Sequence, residues 1–244
     1  MQPNPTKLIN RIDLTTPLIG LYDAPDPNPF KPLIKSSTRG SACIFLFYKK
    51  WLGGKTLHLT RNNYGCSGCG HAVFGIEPRS RNDYIEFLID DIGFKASREL
   101  INLWLEYYKP YGPDHENILI GPLREDQYQY LKSVTFYVNP DQLGALIWGA
   151  NYYNSSTDPI AVITSFGSGC MGIIPMFKDL NAPQAIIGAT DISVRQYFPP
   201  NLLAFTVTKS MFEQLCGLDE KSFIYKPFID KLKKVRRNQL SQVV

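Results

Sequence analysis

Ser41-Ala42-Cys43-Ile44-Phe45-Leu46-Phe47-Tyr48-Lys49-Lys50-Trp51-Leu52, Gly53-Gly54, Thr56-Leu57-His58-Leu59-Thr60 and Tyr64-Gly65-Cys66-Ser67-Gly68-Cys69-Gly70-His71 decide the fold class. The first run is apolar with two lysines and reads as a mostly buried helix, with Cys43 in its first turn and the glycine pair as its stop. The second alternates apolar and polar residues, the pattern of a strand. The third is a glycine-rich turn with two cysteines, after which His71-Ala72-Val73-Phe74 begins a short helix. Helix, strand and chemistry-bearing turn thus follow one another within about forty residues.

Outward from this stretch the alternation continues. Residues 1–16 are a polar lead-in. Pro17 to Tyr22 reads as a buried strand, and the proline-rich 23–38 segment as a loop, because proline lacks the amide donor and clashes inside a helix. Downstream, Ser80 caps a helix to about Asp91, and Ser97 caps another that ends near Lys109-Pro110. Leu100, Leu103, Trp104 and Tyr107 share one face of the second. Strands are expected at 118–123, 133–138, 160–164, 185–189 and 202–207. Helices are expected at 141–152, 170–180, 209–216 and 225–241. The expected fold is α/β or α+β, a mixed sheet with flanking helices in one domain over 1–244, built as two intertwined halves.

The composition is that of an ordinary globular protein: 244 residues, 44% hydrophobic and 20% charged. The 26 basic and 22 acidic residues leave a net charge of +4. That balance demands no nucleic-acid partner, and the basic run Lys231 to Arg237 reads as a solvated helix face. No stretch reaches the roughly 18 apolar residues of a membrane span. The first residues lack the charged-then-apolar order of a signal peptide. The cytoplasm is therefore the expected compartment, where clustered cysteines bind metal or react rather than pair.

Four of the five cysteines sit among glycines. Cys66-X-X-Cys69 has the spacing of zinc, iron–sulfur and redox sites. Cys43 and Cys170 each stand alone after a Gly-Ser-X pattern, at Gly40-Ser41-Ala42 and Gly167-Ser168-Gly169. Four matching residues say little about duplication, but a thiol at a helix start has its pKa lowered by the helix dipole and nearby amides. The four form a candidate metal site, Cys43, Cys66, Cys69 and Cys170, and their dispersal suits a bulky cluster better than two paired zinc knuckles. The competing reading keeps Cys43 and Cys170 as small buried hydrophobes. Cys216 has no turn context and reads as core. Covalent haem is disfavoured, since Gly70 separates Cys69 from His71 and puts the histidine out of register, and no export signal is read at the start of the sequence. A thioredoxin-like pair is disfavoured because Gly68 and Gly70 are poor helix formers. His71 is a candidate proton carrier and Tyr64 a pocket wall or proton donor. Arg39 and Arg195 are candidate anion contacts, as is Arg61; His58 and His115 read as structural.

Together these residues resemble a known family. The elements are Pro17 to Leu21, Cys43, the Cys66-Ser67-Gly68 turn, Val138-Asn139-Pro140-Asp141-Gln142-Leu143, the glycine-rich Cys170, and Asp191 to Arg195 before a strand. Over nearly its whole length the chain is similar to domain-of-unknown-function family 169 (DUF169), common in anaerobic bacteria and archaea. The resemblance implies that Cys43, Cys66 and Cys170 fall on recurrent cysteines, whereas the Cys69 position is often a small residue. Three thiolates would suit a [4Fe–4S] cluster with an open iron acting on a small-molecule ligand or substrate; four would close it. Zinc or no cofactor, in a non-catalytic small-ligand protein, is the alternative, and thiol redox chemistry at Cys66 and Cys69 a third. No nucleic-acid or membrane partner is expected. A homo-oligomer and an enzymatic role are both left open.

Overall fold

The computed structural model describes residues 3–36, 43–76, 80–107, 109–158, 160–163, 173 and 180–241. Its strands are β1 (Ile19–Ala24), β2 (Leu33–Lys35), β3 (Thr56–Leu59), β4 (Asn117–Pro122), β5 (Leu131–Val138), β6 (Ala161–Ile163), β7 (Ala185–Gly188) and β8 (Leu203–Thr208). They join in one mixed sheet of order β2-β3-β4-β1-β5-β8-β7-β6. The helices are α1 (Thr6–Arg11), α2 (Tyr48–Leu52), α3 (Ser67–Phe74), α4 (Arg81–Glu86), α5 (Arg98–Tyr107), α6 (Pro140–Asn151), α7 (Lys209–Cys216) and α8 (Pro227–Ser241). The mixed sheet with flanking helices matches the expected class.

Both faces of the sheet are covered, and the two-residue period of each strand sorts side chains between them. In β1, Tyr22 and Ala24 face one layer and Ile19 and Leu21 the other. The first layer is large and apolar. Val134, Phe136, Phe205 and Val207 meet Leu8 of α1, Leu146 of α6, Phe212 of α7 and Ile229 of α8 there. The second layer packs α2, α3 and two 3-10 turns, Ile44–Phe47 and Ile192–Tyr197, over Leu57, Leu59, Ile118 and Ile120. A third cluster joins α4 to α5 through Tyr84, Leu88, Ile101 and Trp104.

The strand order reads as a duplication. β1–β4 fill one half of the sheet and β5–β8 the other. In each half the outer pair is parallel, β2 with β3 and β6 with β7, and every other pairing is antiparallel. The halves join through the antiparallel β1–β5 pair, as a two-fold axis normal to the sheet would require. The chain from Leu33 to its partner's counterpart Thr56 is 23 residues, and from Ala161 to Ala185 it is 24. The halves therefore lie side by side rather than intertwined.

Local signals explain most boundaries. Asn139 accepts from the Gln142 amide at 2.9 Å while the Gln142 side chain accepts from the Asn139 amide, a capping box, with Pro140 at the first helical position. Ser80 caps α4 as its sequence implies. Three expectations need correction. The 23–38 segment is no mere loop: β2 lies in it, and pairs with β3 although proline-flanked. The 41–52 run is not one helix. Cys43 is extended, a 3-10 turn follows, and only Tyr48–Leu52 is α-helical. On α5 the expected face is divided: Trp104 is buried, but Leu103 is 62% exposed and Leu100 and Tyr107 are also exposed, because Ile101 and Leu105 take the inward positions. The helix expected at 170–180 lies outside the described residues, apart from residues 173 and 180. No helix among the described residues is long and apolar enough to cross a membrane.

Candidate site around Cys43 and Cys66

The second layer is where the cysteines collect. Cys43, Cys66 and Cys69 all belong to its cluster, with Tyr64, Tyr48, Trp51 and Ile173. Ile173 lies in the β6–β7 connection, and Ile44 and Phe45 in the β2–β3 connection. Both parallel crossovers therefore pack on the same face. Cys170 is in the β6–β7 connection, the topological counterpart of the one that carries Cys43, but Cys170 and Arg39 lie outside the described residues.

Cys43 opens the 3-10 turn from an extended conformation. Burial pushes its thiol up to about 11, a bond from the Phe45 amide opposes this, and the negative charges of Cys66 and Asp191 add to the rise. Cys66 packs against the same apolar cluster as Cys43. Cys66 is the N-cap of α3, and Asp191 the N-cap of the 192–197 turn, where it accepts from the Ser193 amide at 2.9 Å. By the sheet duplication these two turns follow equivalent strands, β3 and β7. Burial keeps the Cys43 thiol protonated. A bound cation would reverse that balance.

Helix α3 begins earlier than the sequence implied, at Ser67 rather than His71. Glycines, expected to break it, make it possible. Gly65 and Gly75 take positive φ, +83° and +67°, and bracket the helix. At its end the amide of left-handed Gly75 donates to the His71 carbonyl at 2.9 Å, the single-bond αL cap, and the Ile76 amide donates to the Gly70 carbonyl at 3.2 Å. Gly70 lies under the Tyr64 ring, and a Cβ there would come within 2.5 Å of it. The helix also buries Cys69, Ala72, Val73 and Phe74, which offsets its glycine content. Cys66 stands at the helix start and Cys69, fully buried, one turn inside. Gly68 and Gly70 do not prevent the helix, but α3 has eight residues and is not the long helix a thioredoxin-like pair opens.

The other expected residues divide. Tyr64 is buried as a wall of this cluster. The His71 ring lies 5.3 Å from that of Tyr84, so it faces α4. Arg195 is not placed as an open anion contact. Its Nη1 donates to the carbonyls of Ala189 (3.2 Å) and Leu202 (2.6 Å), and its Nη2 to those of Pro199 (3.3 Å) and Pro200 (2.8 Å). All four terminal N–H bonds clamp the loop before β8. Cys216 is half-buried, its thiol pushed up to about 12 by burial and by Glu213, in keeping with a core role.

The strands supply residues that the cysteine pattern did not point to. On the Cys43 side β5 presents Ser133, Thr135 and Tyr137, and β8 presents Thr206, all buried. Thr135 and Thr206 hydroxyls are 2.8 Å apart. The opposite side of the same strands is purely apolar. The signal was in the text: Ser133-Val134-Thr135-Phe136-Tyr137-Val138 puts every hydroxyl on one face. Above this floor, Tyr48 Oη, Tyr137 Oη and Trp51 Nε1 are buried and find no hydrogen-bond partner among the described residues. Burial and the adjacent Tyr48 hold the Tyr137 hydroxyl protonated, so it remains a donor. Among the described residues no three His, Cys, Asp or Glu side chains gather as a metal site. What this layer holds is three thiols and three buried donors that find no acceptor among the described residues.

No curated protein and no solved structure matches the chain. One family profile does, that of DUF169, described as an uncharacterised ArCR, over residues 7–217. The match takes in every strand of the sheet, both halves of the duplication and all four glycine-flanked cysteines, and it ends before α8. The chain belongs to the DUF169 family.

Proposed function

We propose that this protein is a cytoplasmic iron–sulfur protein whose second layer holds a [4Fe–4S] cluster on Cys43, Cys66 and Cys170, with Cys69 as fourth ligand or neighbouring thiol. The observation that carries the reading is that Cys43, Cys66 and Cys69 pack on one buried layer, where three donors find no acceptor among the described residues. Buried donors left unpaired cost roughly 1–3 kcal/mol each, so a site that keeps three is built for an acceptor-rich guest. Cluster sulfides and thiolates accept hydrogen bonds. The hydroxyl floor of Ser133, Thr135 and Thr206 would orient a small molecule beside such a guest. A cluster with one open iron would supply a Lewis acid; a closed one, an electron. Zinc on the same thiolates is the alternative within this reading.

The test is iron and acid-labile sulfide per chain on protein purified without oxygen. About four irons, lost on replacing Cys43, Cys66 or Cys170 by Ala, is the expected result. Retention in Cys69→Ala would mark an open iron. No iron and no sulfide after anaerobic reconstitution would end the reading, and one zinc per chain would replace it. The placement of Cys66 and Cys69 favours a second reading, thiol redox chemistry at that pair. Cys69→Ser would then abolish a reversible two-electron thiol couple and leave the metal content unchanged.

A further inference from the structure

At the C-terminal end of α3, away from Cys66, a cleft of about 680 Å3 opens between the turn after β3 and the segment before β4. Thr60, Arg61, Phe74, His115 and Glu116 line it. Beneath it lies Asp23, a carboxyl with no exposure, at the end of β1. Asp23 Oδ2 accepts from the Tyr111 hydroxyl and the Asp114 amide, both at 2.8 Å. Its Oδ1 accepts from the His115 amide at 2.9 Å and meets His115 Nδ1 at 3.0 Å.

Three of these contacts suffice to staple the 111–115 loop to the sheet, which is the structural role of Asp23. The fourth adds something a staple does not need. In the neutral ring, a buried carboxyl oxygen on Nδ1 favours the Nδ1–H tautomer and leaves Nε2 as an acceptor. The His115 side chain is 35% exposed, lines the cleft, and has no other hydrogen bond among the described residues. Arg61 lines the same cleft. One of its N–H groups donates to the Phe74 carbonyl at 3.2 Å, and its guanidinium lies over the Phe74 ring. The rest of the fork has no partner among the described residues. Of the two acidic residues on the rim, Asp114 is paired with Lys132 at 3.1 Å and Glu116 is exposed.

We propose that this cleft is a second binding site, for a small oxyanion that also carries a hydroxyl, such as hydrogen phosphate or a hydroxy acid. Arg61 clamps the oxyanion by charge-assisted bonds, and His115 Nε2, oriented by Asp23, accepts from the hydroxyl. The site is separate from the cysteine layer and requires no metal.

The test is NMR titration of the metal-free full chain at pH 7.5 with inorganic phosphate and, separately, lactate. The His115 ring signals are assigned by their loss in His115→Gln. The expected result is a saturable shift of those signals by either anion, with the ring in the Nδ1–H tautomer, and affinity about tenfold weaker or worse in Arg61→Gln. Arg61 is exposed, so that variant should fold normally. Absence of a saturable shift with both anions, or equal affinity in Arg61→Gln, would overturn the proposal.

Discussion

Replacing Gly70 by Ala should destabilise the protein, although the same change in most helices does the reverse. Alanine is favoured over glycine in a helix interior by about 1 kcal/mol. At Gly70 the new Cβ would lie 2.5 Å from Tyr64 Cε2 and 2.6 Å from Cδ2, against 3.4–4 Å for ordinary contact. Something must therefore give by about 1 Å. The Tyr64 ring is buried, so it cannot swing into solvent. Overpacking of this kind costs about 1–3 kcal/mol. The balance is a loss of about 1 kcal/mol, within a span of roughly 0–2. Gly144, inside α6, is the control: nothing lies within 4 Å of its Cβ position, so Gly144→Ala should gain about 0.5–1 kcal/mol. The two variants should therefore move in opposite directions in urea denaturation, about 2 kcal/mol apart. If the chain holds the proposed cluster, Gly70→Ala should also lower iron retention, because α3 positions Cys66, whereas Gly144→Ala should not. If Gly70→Ala stabilised as much as Gly144→Ala and kept its iron, the packing of Tyr64 on α3 would be refuted.

Two further outcomes follow from the cysteine layer. Tyr137→Phe removes a buried hydroxyl that finds no acceptor among the described residues, so the metal-free protein should gain up to about 1 kcal/mol, and under the proposed function the loaded form should lose its cluster faster; a loss of stability in the metal-free form would contradict the orphan assignment. Cys43 should resist alkylation: with its thiol at about 11 rather than 9, the metal-free protein at pH 8 should react with iodoacetamide about a hundredfold more slowly there than at an unperturbed thiol. The sign for stability follows. The raised folded-state value favours the protonated thiol, so its contribution is present below pH 9 and is lost as pH rises through about 11. A melting temperature that climbed over that interval in wild type but not in Cys43→Ala would contradict it.

Much of the frame was readable because its signals are local. The Asn139–Gln142 box, Ser80 before α4 and the alternation at 56–60 each specify an element within a few residues. The failures were of two kinds. One was context. Glycine propensity argued against α3, but Gly70 is there to admit Tyr64, and that contact is visible only once the helix is packed. The apolar face of α5 was read from period alone, and the neighbouring α4 selected Ile101 and Leu105 instead. The other failure was distance in sequence. Asp23 and His115 are 92 positions apart, and nothing local marks either as the other's partner. The hydroxyl floor falls between: its alternation is local, but its meaning depends on which layer lies above it.

The duplicated sheet gives the two Gly-Ser-X-Cys patterns a weight that four matching residues lacked. Each lies between the strands of an outer parallel pair, ten residues from Leu33 to Cys43 and nine from Ala161 to Cys170. A two-fold axis normal to the sheet sends both connections over one face, and Ile173 packing with Ile44 and Phe45 bears this out. The two halves then diverge in a way that fits a site used asymmetrically. After β3 the chain inserts α3, α4 and α5 and puts Cys66 at the first helix start; after β7 it makes a single 3-10 turn and puts Asp191 there. On the proposed reading Cys43 and Cys170 make an equivalent pair, Cys66 stands opposite Asp191, and Cys69 lies one helical turn outside the set. Three thiolates would leave one position of a [4Fe–4S] cluster for a ligand, and Cys69 as a fourth would close it.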